Sequence, residues 1–554
     1  MTTFNRSQTL VQSLTNRGDA TTNHEGGLAF VMDAMTRLYT RACTALVRQD
    51  KFYVSAEQAD KELIADIHAV GSVAPEFVLR LAAYVRQVMN LRTVSLVMLA
   101  EAASIPACKP LVRRWTPQIL RRVDELTEVV AYWKLRHGDI GARGQKGGAN
   151  AFPNSLSNGI ADAFGQFDEY QFAKYDRKGS VTLRDVLRIV RPKPISAEQS
   201  AMFRYLVKGE VDVTYLPMTA AKAQLLCKTE LDAEARVLAQ AAHATWEVML
   251  SHFGRMAEVW NSVHLPFMAG MRNLGNLLEV GADKALDRVV AMLRNQEQVR
   301  RSKQLPHRFF SAYKAVEARG GNSPRQAEVM EAVLVALEAS VANVPRMQGV
   351  SFITMDNSGS MRMPLSKKSA VQYVDVANLL GAMGHTMCEQ AICSVFGDGH
   401  AVVPVVRQDS ILTNMRRFAN TNVGYSTNAH LSIRHLNETR TRVDRIILLS
   451  DMECYATAQW GEASLAREWR QYRSSVNPDA YLYSIDLSGN GTSQFPADEK
   501  RVACLAGWSE KLLEFIPAFE QGGTKAVERI AAWSPFAEAA PEVSHETDDG
   551  AEDA

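Results

Sequence analysis

Near Pro345 the hydrophobic period of the chain changes, and that change limits the possible folds more than any single motif does. Upstream, from about Gly26 to Glu338, apolar residues recur every three or four positions, as in Leu63, Ile64, Ile67 and Val70 and then Val78, Leu81, Ala82 and Val85. This spacing puts them on one face of successive α-helices. Gly71-Ser72, Ile105-Pro106 and Pro192-Lys193-Pro194 interrupt the pattern at short intervals, so helix pairs stacked as an α-solenoid are expected, although no strict repeat period is visible. Downstream, GVSFITMD (349–356), QAICSVFGDG (390–399), VDRIILLSD (443–451) and AYLYSIDLS (480–488) are short apolar runs of the kind that form buried parallel strands. Helical stretches alternate with them. The pattern implies a doubly wound, Rossmann-like α/β sheet, whose ligands bind at the carboxyl ends of the strands.

At 554 residues the chain exceeds what one hydrophobic core serves, so it is expected to be multidomain. Lys plus Arg number 62 against 61 acidic residues, which leaves almost no overall field to attract a polyanion; a nucleic-acid site must be a local patch. Val543 to Ala554 carries acidic residues and no Lys or Arg, and is expected to be a disordered acidic tail. The seven cysteines form no C-x-x-C pair or disulfide-like framework, which fits a reducing cytoplasm. The N-terminal residues lack the apolar core of a signal peptide, and no apolar run is long enough to span a membrane, so a cytoplasmic protein with no membrane partner is expected.

The first C-terminal strand runs directly into Asp356-Asn357-Ser358-Gly359-Ser360, a D-x-S-x-S sequence at a strand end. One carboxylate and two hydroxyls there suit a hard divalent cation such as Mg²⁺, which takes oxygen ligands and keeps several waters. Thr427, in GYSTNAH, and Asp451, at the end of IILLSD, supply two more oxygens on adjoining loops. Asp and Ser at such places also cap helices, and the motif alone does not separate the two roles. Enzyme readings find less support. A haloacid-dehalogenase phosphatase needs Asp where Ser358 stands, and neither Ser358 nor Ser360 lies in G-x-S-x-G. In GARGQKGGAN (141–150), Lys146 is followed by Gly rather than Ser or Thr, which defeats a P-loop reading and leaves a basic loop with Arg143 and Lys146. No helical His pair supports zinc hydrolysis, and no paired-carboxylate motif supports a two-metal nuclease.

In the helical half, Thr182 and Asp185 have capping-box spacing, so a helix should begin there. Arg184, Arg188 and Arg191 then fall on one face, with Leu183, Val186, Leu187 and Val190 opposite; Lys174, Arg177 and Lys178 precede it. Such a face suits phosphates and exposed bases, and equally suits a merely solvated helix. A second cluster holds Arg300, Arg301, Lys303, His307 and Arg308. There, and at Arg272 and Asn273, RNA contact and plain solvation or capping both remain open.

The metal-type set Asp356, Ser358, Ser360, Thr427 and Asp451 resembles the metal-ion-dependent adhesion site of von Willebrand factor A domains, where an acidic group of a partner completes the coordination. HEGGLAFVMDAMTRLYTRAC, KFYVSAEQADKELIADI, FDEYQFAKYDRKGSVTLRDVLRIVRPKP, MRNLGNLLEVG and VRRSKQLPHRFFSAYKA resemble successive blocks of the TROVE domain of Ro proteins, in the order expected before such an A domain. The resemblance implies an all-α ring of HEAT-like helical repeats over 20–345, an A domain over 346–540 and the tail over 541–554. It further implies a non-enzymatic scaffold that holds Y-like small noncoding RNA on its outer surface and takes single-stranded 3′ ends of defective RNAs into its hole. Lys174, Lys178 and Arg191 would carry the Y RNA contact, Arg191 standing where animal members commonly have His. An exoribonuclease such as polynucleotide phosphorylase is an implied partner, and DNA is not expected. The competing reading is a metal-dependent protein-docking module of chelatase or adhesion type, without RNA.

Overall fold

The computed structural model of the chain describes residues 20–22, 28–44, 56–138, 140, 152–175, 179–304, 306–320, 323–343, 346–365, 369–406, 408–453, 465–489, 492–495, 499, 501–507, 511–520 and 526–536. The tail expected over 541–554, the loop with Arg143 and Lys146, and Arg177 and Lys178 lie outside the described residues. Two compact units emerge, one of residues 1–66 and 293–529 and the other of residues 67–292 and 530–554.

The first unit is built on a six-stranded sheet. Its strands, together with those of a small three-stranded sheet, are β1 (Ala20–Thr22), β2 (Leu28–Val31), β3 (Met347–Asp356), β4 (Cys388–Phe396), β5 (His400–Val402), β6 (Arg445–Ser450), β7 (Tyr481–Asp486), β8 (Thr492–Ser493) and β9 (Val502–Ala506), of which β1, β2 and β8 form the small sheet. The main sheet runs β5-β4-β3-β6-β7-β9, parallel throughout except for β5, which pairs antiparallel with β4. All six residues of β6 are buried, as are the last six of β3, because helices cover both faces. On one face the helix Tyr373–Met387 approaches β3 closely: a Cβ at Gly381 or Gly384 would collide with Met355 or Ile353. On the other, Phe352, Phe396, Ile433, Trp469 and Phe495 form the core. The Tyr472 hydroxyl reaches into that core to accept the Val443 N–H at 2.8 Å.

The helical segments flanking this sheet in sequence also belong to the first unit. β1 and β2 form a hairpin whose second strand pairs antiparallel with β8, a piece of sheet absent from the expected all-helical N-terminal half. The hairpin is too short to carry a period, and its partner lies more than 450 residues later in sequence. The helices Pro306–Glu317 and Pro324–Ser340 pack together, and Glu338 accepts the Ile411 N–H at 2.6 Å at the start of the helix Ile411–Asn420.

In the second unit, helices of about two to five turns pack chiefly on those one to three places away in sequence, the arrangement of stacked helical repeats. Buried carboxylates pin them together. Glu101 accepts hydrogen bonds from Tyr132 Oη at 2.7 Å and Arg136 Nε at 3.3 Å and contacts His68 Nε2 at 2.8 Å. Glu125 pairs with Arg86 at 2.8 Å while accepting the backbone N–H groups of Arg121 and Arg122 at the start of its own helix. Residues 530–536 belong to this unit too. Trp533 meets Tyr84 edge-on at 5.5 Å, and Phe536 meets Trp115 edge-on at 4.8 Å beneath the Arg114 guanidinium.

Within the first unit, Gly397 follows β4, and a Cβ there would lie 2.6 Å from the Val423 carbonyl oxygen and 2.7 Å from that of Gly424. Both obstacles are backbone and cannot rotate aside. Gly397→Ala is therefore expected to destabilise the unit by about 1–3 kcal/mol, read as a lower midpoint in urea or thermal unfolding; an unchanged midpoint would show that the 423–424 backbone shifts freely.

Candidate metal centre and nucleic-acid interface

β3 connects onward to β4 on one side of it, whereas β6 connects to β7 on the other. The crevice between the carboxyl ends of β3 and β6 is the topological switch point of the sheet, where open α/β sheets bind ligands. Asp356 closes β3 and Asp451 directly follows β6, so the two carboxylates flank this crevice. Asp356, Ser358, Ser360, Thr427 and Asp451 are all buried. Asp356 Oδ1 accepts the Ser358 N–H at 2.8 Å, its Oδ2 accepts the Ser450 hydroxyl at 2.6 Å, and the Ser358 and Ser360 hydroxyls lie 3.3 Å apart. The Gly359 N–H donates to the Tyr425 carbonyl at 2.9 Å, fixing the D-x-S-x-S turn to the loop that carries Thr427. That loop is held in turn by Asp398, which accepts the Tyr425 N–H at 2.9 Å and the Ser426 N–H at 3.3 Å.

Burial, followed by the nearby Asp451 carboxylate, pushes the Asp356 carboxyl up from its ordinary range; hydrogen bonds from Ser358 and Ser450 only partly oppose this. Among the described residues no Lys, Arg or His side chain bonds to it. Asp486, at the end of β7 and in register with Ser450, adds a third buried carboxylate to the same sheet edge; its Oδ1 accepts the Ser488 and Gly489 N–H groups at 2.9 and 2.6 Å. The Tyr373 hydroxyl, pushed up to about 12 by burial and then by Asp486 and Asp451, senses the same concentration of negative charge.

The basic helix Leu183–Val190 begins with a reciprocal cap. Thr182 Oγ1 accepts the Asp185 N–H at 3.3 Å, and Asp185 Oδ2 accepts the Thr182 N–H at 2.9 Å, which holds the Asp185 carboxyl below its usual range. Leu183, Val186, Leu187 and Val190 are buried, whereas Arg184, Arg188 and Arg191 are exposed. Arg184 spends its Nε–H on the Leu206 carbonyl at 3.1 Å. Arg191 is the C-cap, in the left-handed region at φ 51°. Lys174 donates to the Tyr170 hydroxyl at 3.1 Å and lies over the Tyr170 and Tyr175 rings, with the Arg122 guanidinium also on Tyr175 at 4.3 Å. Arg272, exposed on the helix Phe267–Val280, belongs to this unit as well. The other cluster belongs to the first unit. There Arg301 pairs with Glu297 at 3.0 Å and Arg300 with the same carboxylate at 3.2 Å, Lys303 is exposed with φ 49°, and His307 and Arg308 are half-buried.

Residues 22–241 and 233–374 match the TROVE domain, and residues 351–520 match the Ro60 vWA domain. The chain belongs to the TROVE family. Among its relatives are telomerase protein component 1 of Mus musculus, 26% identical over 334 residues, and the RNA-binding protein RO60 of Caenorhabditis elegans, 24% identical over 444 residues. The matched region covers 50% of the chain but 12% of the telomerase component, against 67% of each protein for RO60. The solved structure of the Deinococcus radiodurans RO (RSR) protein aligns with a TM-score of 0.64 at 20% identity, covering 88% of this chain and 100% of that one, and so supports the fold.

Among its described residues this TROVE protein gathers no group of three His, Cys, Asp or Glu side chains suited to a metal. The strand-end donors are of another kind, two carboxylates among three hydroxyls, which suits a hard cation that keeps several waters. Ser450, Asp486 and Tyr373 were not among the residues singled out from sequence. Ser450 and Asp486 could have been found from their places at the ends of apolar strands, whereas Tyr373 could not.

The raised Asp356 carboxyl sets a sign. In metal-free protein the folded state holds this proton more tightly than the unfolded chain does, so stability falls as pH rises from about 4 towards the raised folded value. Asp356→Asn removes the titration, so in chelator the Asn variant is expected to gain stability relative to the parent steadily as pH increases. Melting profiles across that range would test this; a difference independent of pH would mean that the carboxyl is not raised.

Proposed function

We propose that this TROVE chain is an RNA-binding scaffold rather than an enzyme. In this reading it holds a small structured noncoding RNA of Y type on the exposed arginines of the capped helix and presents single-stranded 3′ ends of defective RNAs to an exoribonuclease such as polynucleotide phosphorylase. The observation that carries the reading is the exposure of Arg188 and Arg191 on a helix whose opposite face is buried, in a chain of this family. Arginine forks suit phosphate oxygens and can stack on unpaired bases. The buried free thiols of Cys43, Cys108, Cys388 and Cys393 support work in a reducing cytoplasm.

At the strand-end site we propose a divalent cation, Mg²⁺ by preference, held by Asp356, Ser358, Ser360, Thr427 and Asp451. Such an ion would supply an open coordination position for an acidic group of a partner. The chain's own residues orient the oxygens: Ser450 fixes one Asp356 oxygen, and the Gly359 to Tyr425 hydrogen bond sets the two ligand loops against each other.

Two measurements test these readings separately. Mg²⁺ at about a hundred times its Kd is expected to stabilise the parent by about 2.7 kcal/mol and to leave Asp356→Ala unaffected, while that variant still binds structured RNA. Equal Mg²⁺ stabilisation of both proteins would dismiss the metal assignment. Arg188→Ala combined with Arg191→Ala is expected to weaken structured RNA binding and to flatten the slope of log K against log salt by about 1.5, since each lost phosphate contact removes about 0.7–0.9. An unchanged slope with a native melting profile would move the RNA site to another surface.

A further inference from the structure

Residues 537–554 contain seven Asp or Glu and no Lys or Arg, so this one stretch offsets an otherwise net-basic chain. It emerges from a fixed point in the second unit. Phe536 is seated edge-on against Trp115 at 4.8 Å and under Arg114 at 4.2 Å, and Trp533 against Tyr84. These contacts anchor the acidic stretch to the unit that carries Lys174, Arg188 and Arg191.

The distance from anchor to basic face is short. The helix Lys109–Ile119, which holds Arg114 and Trp115, packs on the helix Asn154–Ala163, and that helix packs on Leu183–Val190. Two helix-to-helix steps of about 8–10 Å each separate them. A stretch of 18 residues can extend to about 60 Å. Tethering at this range gives the carboxylates a millimolar effective concentration at the arginines.

We propose that residues 537–554 act as an intramolecular polyanion, docking on the Arg188 and Arg191 face and competing there with RNA. This rests on the reading of that face as the RNA site. The occupant is the chain's own acidic stretch, chosen for its charge complementarity to the exposed arginines and for where its anchor lies. A competing polyanion of this kind admits ligands that make many phosphate contacts and turns away those that make few. Its hold weakens as salt screens the exposed charges beyond about 10 Å.

The test uses the full chain and a full-length variant with all seven acidic residues of the stretch changed to their amides, Asp→Asn and Glu→Gln. The probes are a uridine 20-mer and, separately, a labelled peptide of sequence 537–554. The amide variant is expected to bind the 20-mer about two- to tenfold more tightly than the parent at low salt, the two converging as salt rises. The peptide is expected to bind the amide variant in a salt-sensitive way and to lose that binding when Arg188→Ala and Arg191→Ala are added. Equal RNA affinities at every salt concentration, or a peptide that does not bind, would overturn the proposal. Should neither protein bind RNA while the peptide still binds through the arginines, the RNA reading would fail and the docking would stand.

Discussion

Burying a carboxylate sets the terms for both units, because an ionised group removed from water must be compensated or it gives up its charge. Among the described residues, most of the buried acids are compensated by arginine or by backbone donors. Asp66 is clamped by Arg37 at 2.7 Å and by Arg41. Glu125 has Arg86 and two backbone N–H groups, and Glu169 accepts the Thr219 N–H at 2.7 Å from a neighbouring helix. In each case the acid fixes one helix relative to another, which an apolar contact of the same size does less specifically.

Asp356 also has a backbone donor, but the charge beside it is of its own sign. It is fully buried, it has hydroxyl and amide donors only, and its nearest charged influence is another carboxylate. A sheet can tolerate this at one place, the switch point, where strand ends open a crevice instead of packing against a crossover. The Asp356 carboxyl responds by holding its proton more tightly. The same oxygens are those that the proposed divalent cation would bind. Depth of burial sets the direction at such acids: the half-buried Asp185 cap carboxyl is lowered by its Thr182 hydrogen bonds, whereas the Asp375 cap and Asp356 are both raised by desolvation.

Much of the fold was legible in the sequence because burial on both faces leaves continuous apolar runs. β3, β4, β6 and β7 each stand in such a run, and the helices Tyr373–Met387, Ile411–Asn420 and Leu465–Ser475 follow their amphipathic stretches. β5, of three residues, and the β2–β8 pairing were not legible, because two or three residues cannot display a period and their stability comes from a partner distant in sequence. β9, of five residues, was also not singled out from sequence. At the strand-end site the ligand-type residues stand out by chemistry, and Ser450 and Asp486 by position. Tyr373 was hidden, because its place beside the acids is set by how a helix begins far from them in sequence.

For the basic residues the sequence could supply only candidates, since an arginine that pairs inside the protein and one that faces solvent are written with the same letter. Pairing separates them. Glu297 takes both Arg300 and Arg301, and exposed pairs of this kind contribute little to stability but do reduce the field offered to a polyanion. Arg184 is partly engaged by the Leu206 carbonyl, and Lys174 rests on tyrosine rings. Arg188 and Arg191 differ in that their helix is fixed by a reciprocal cap at one end and a buried apolar face along its length, so the two guanidinium groups are presented from a rigid support. Arg191 does so from a left-handed C-cap, where glycine or asparagine is usual. Arg440 closes the helix His430–Thr439 in the same conformation, so what sets Arg188 and Arg191 apart is the fixed, amphipathic helix they share and not the cap conformation alone.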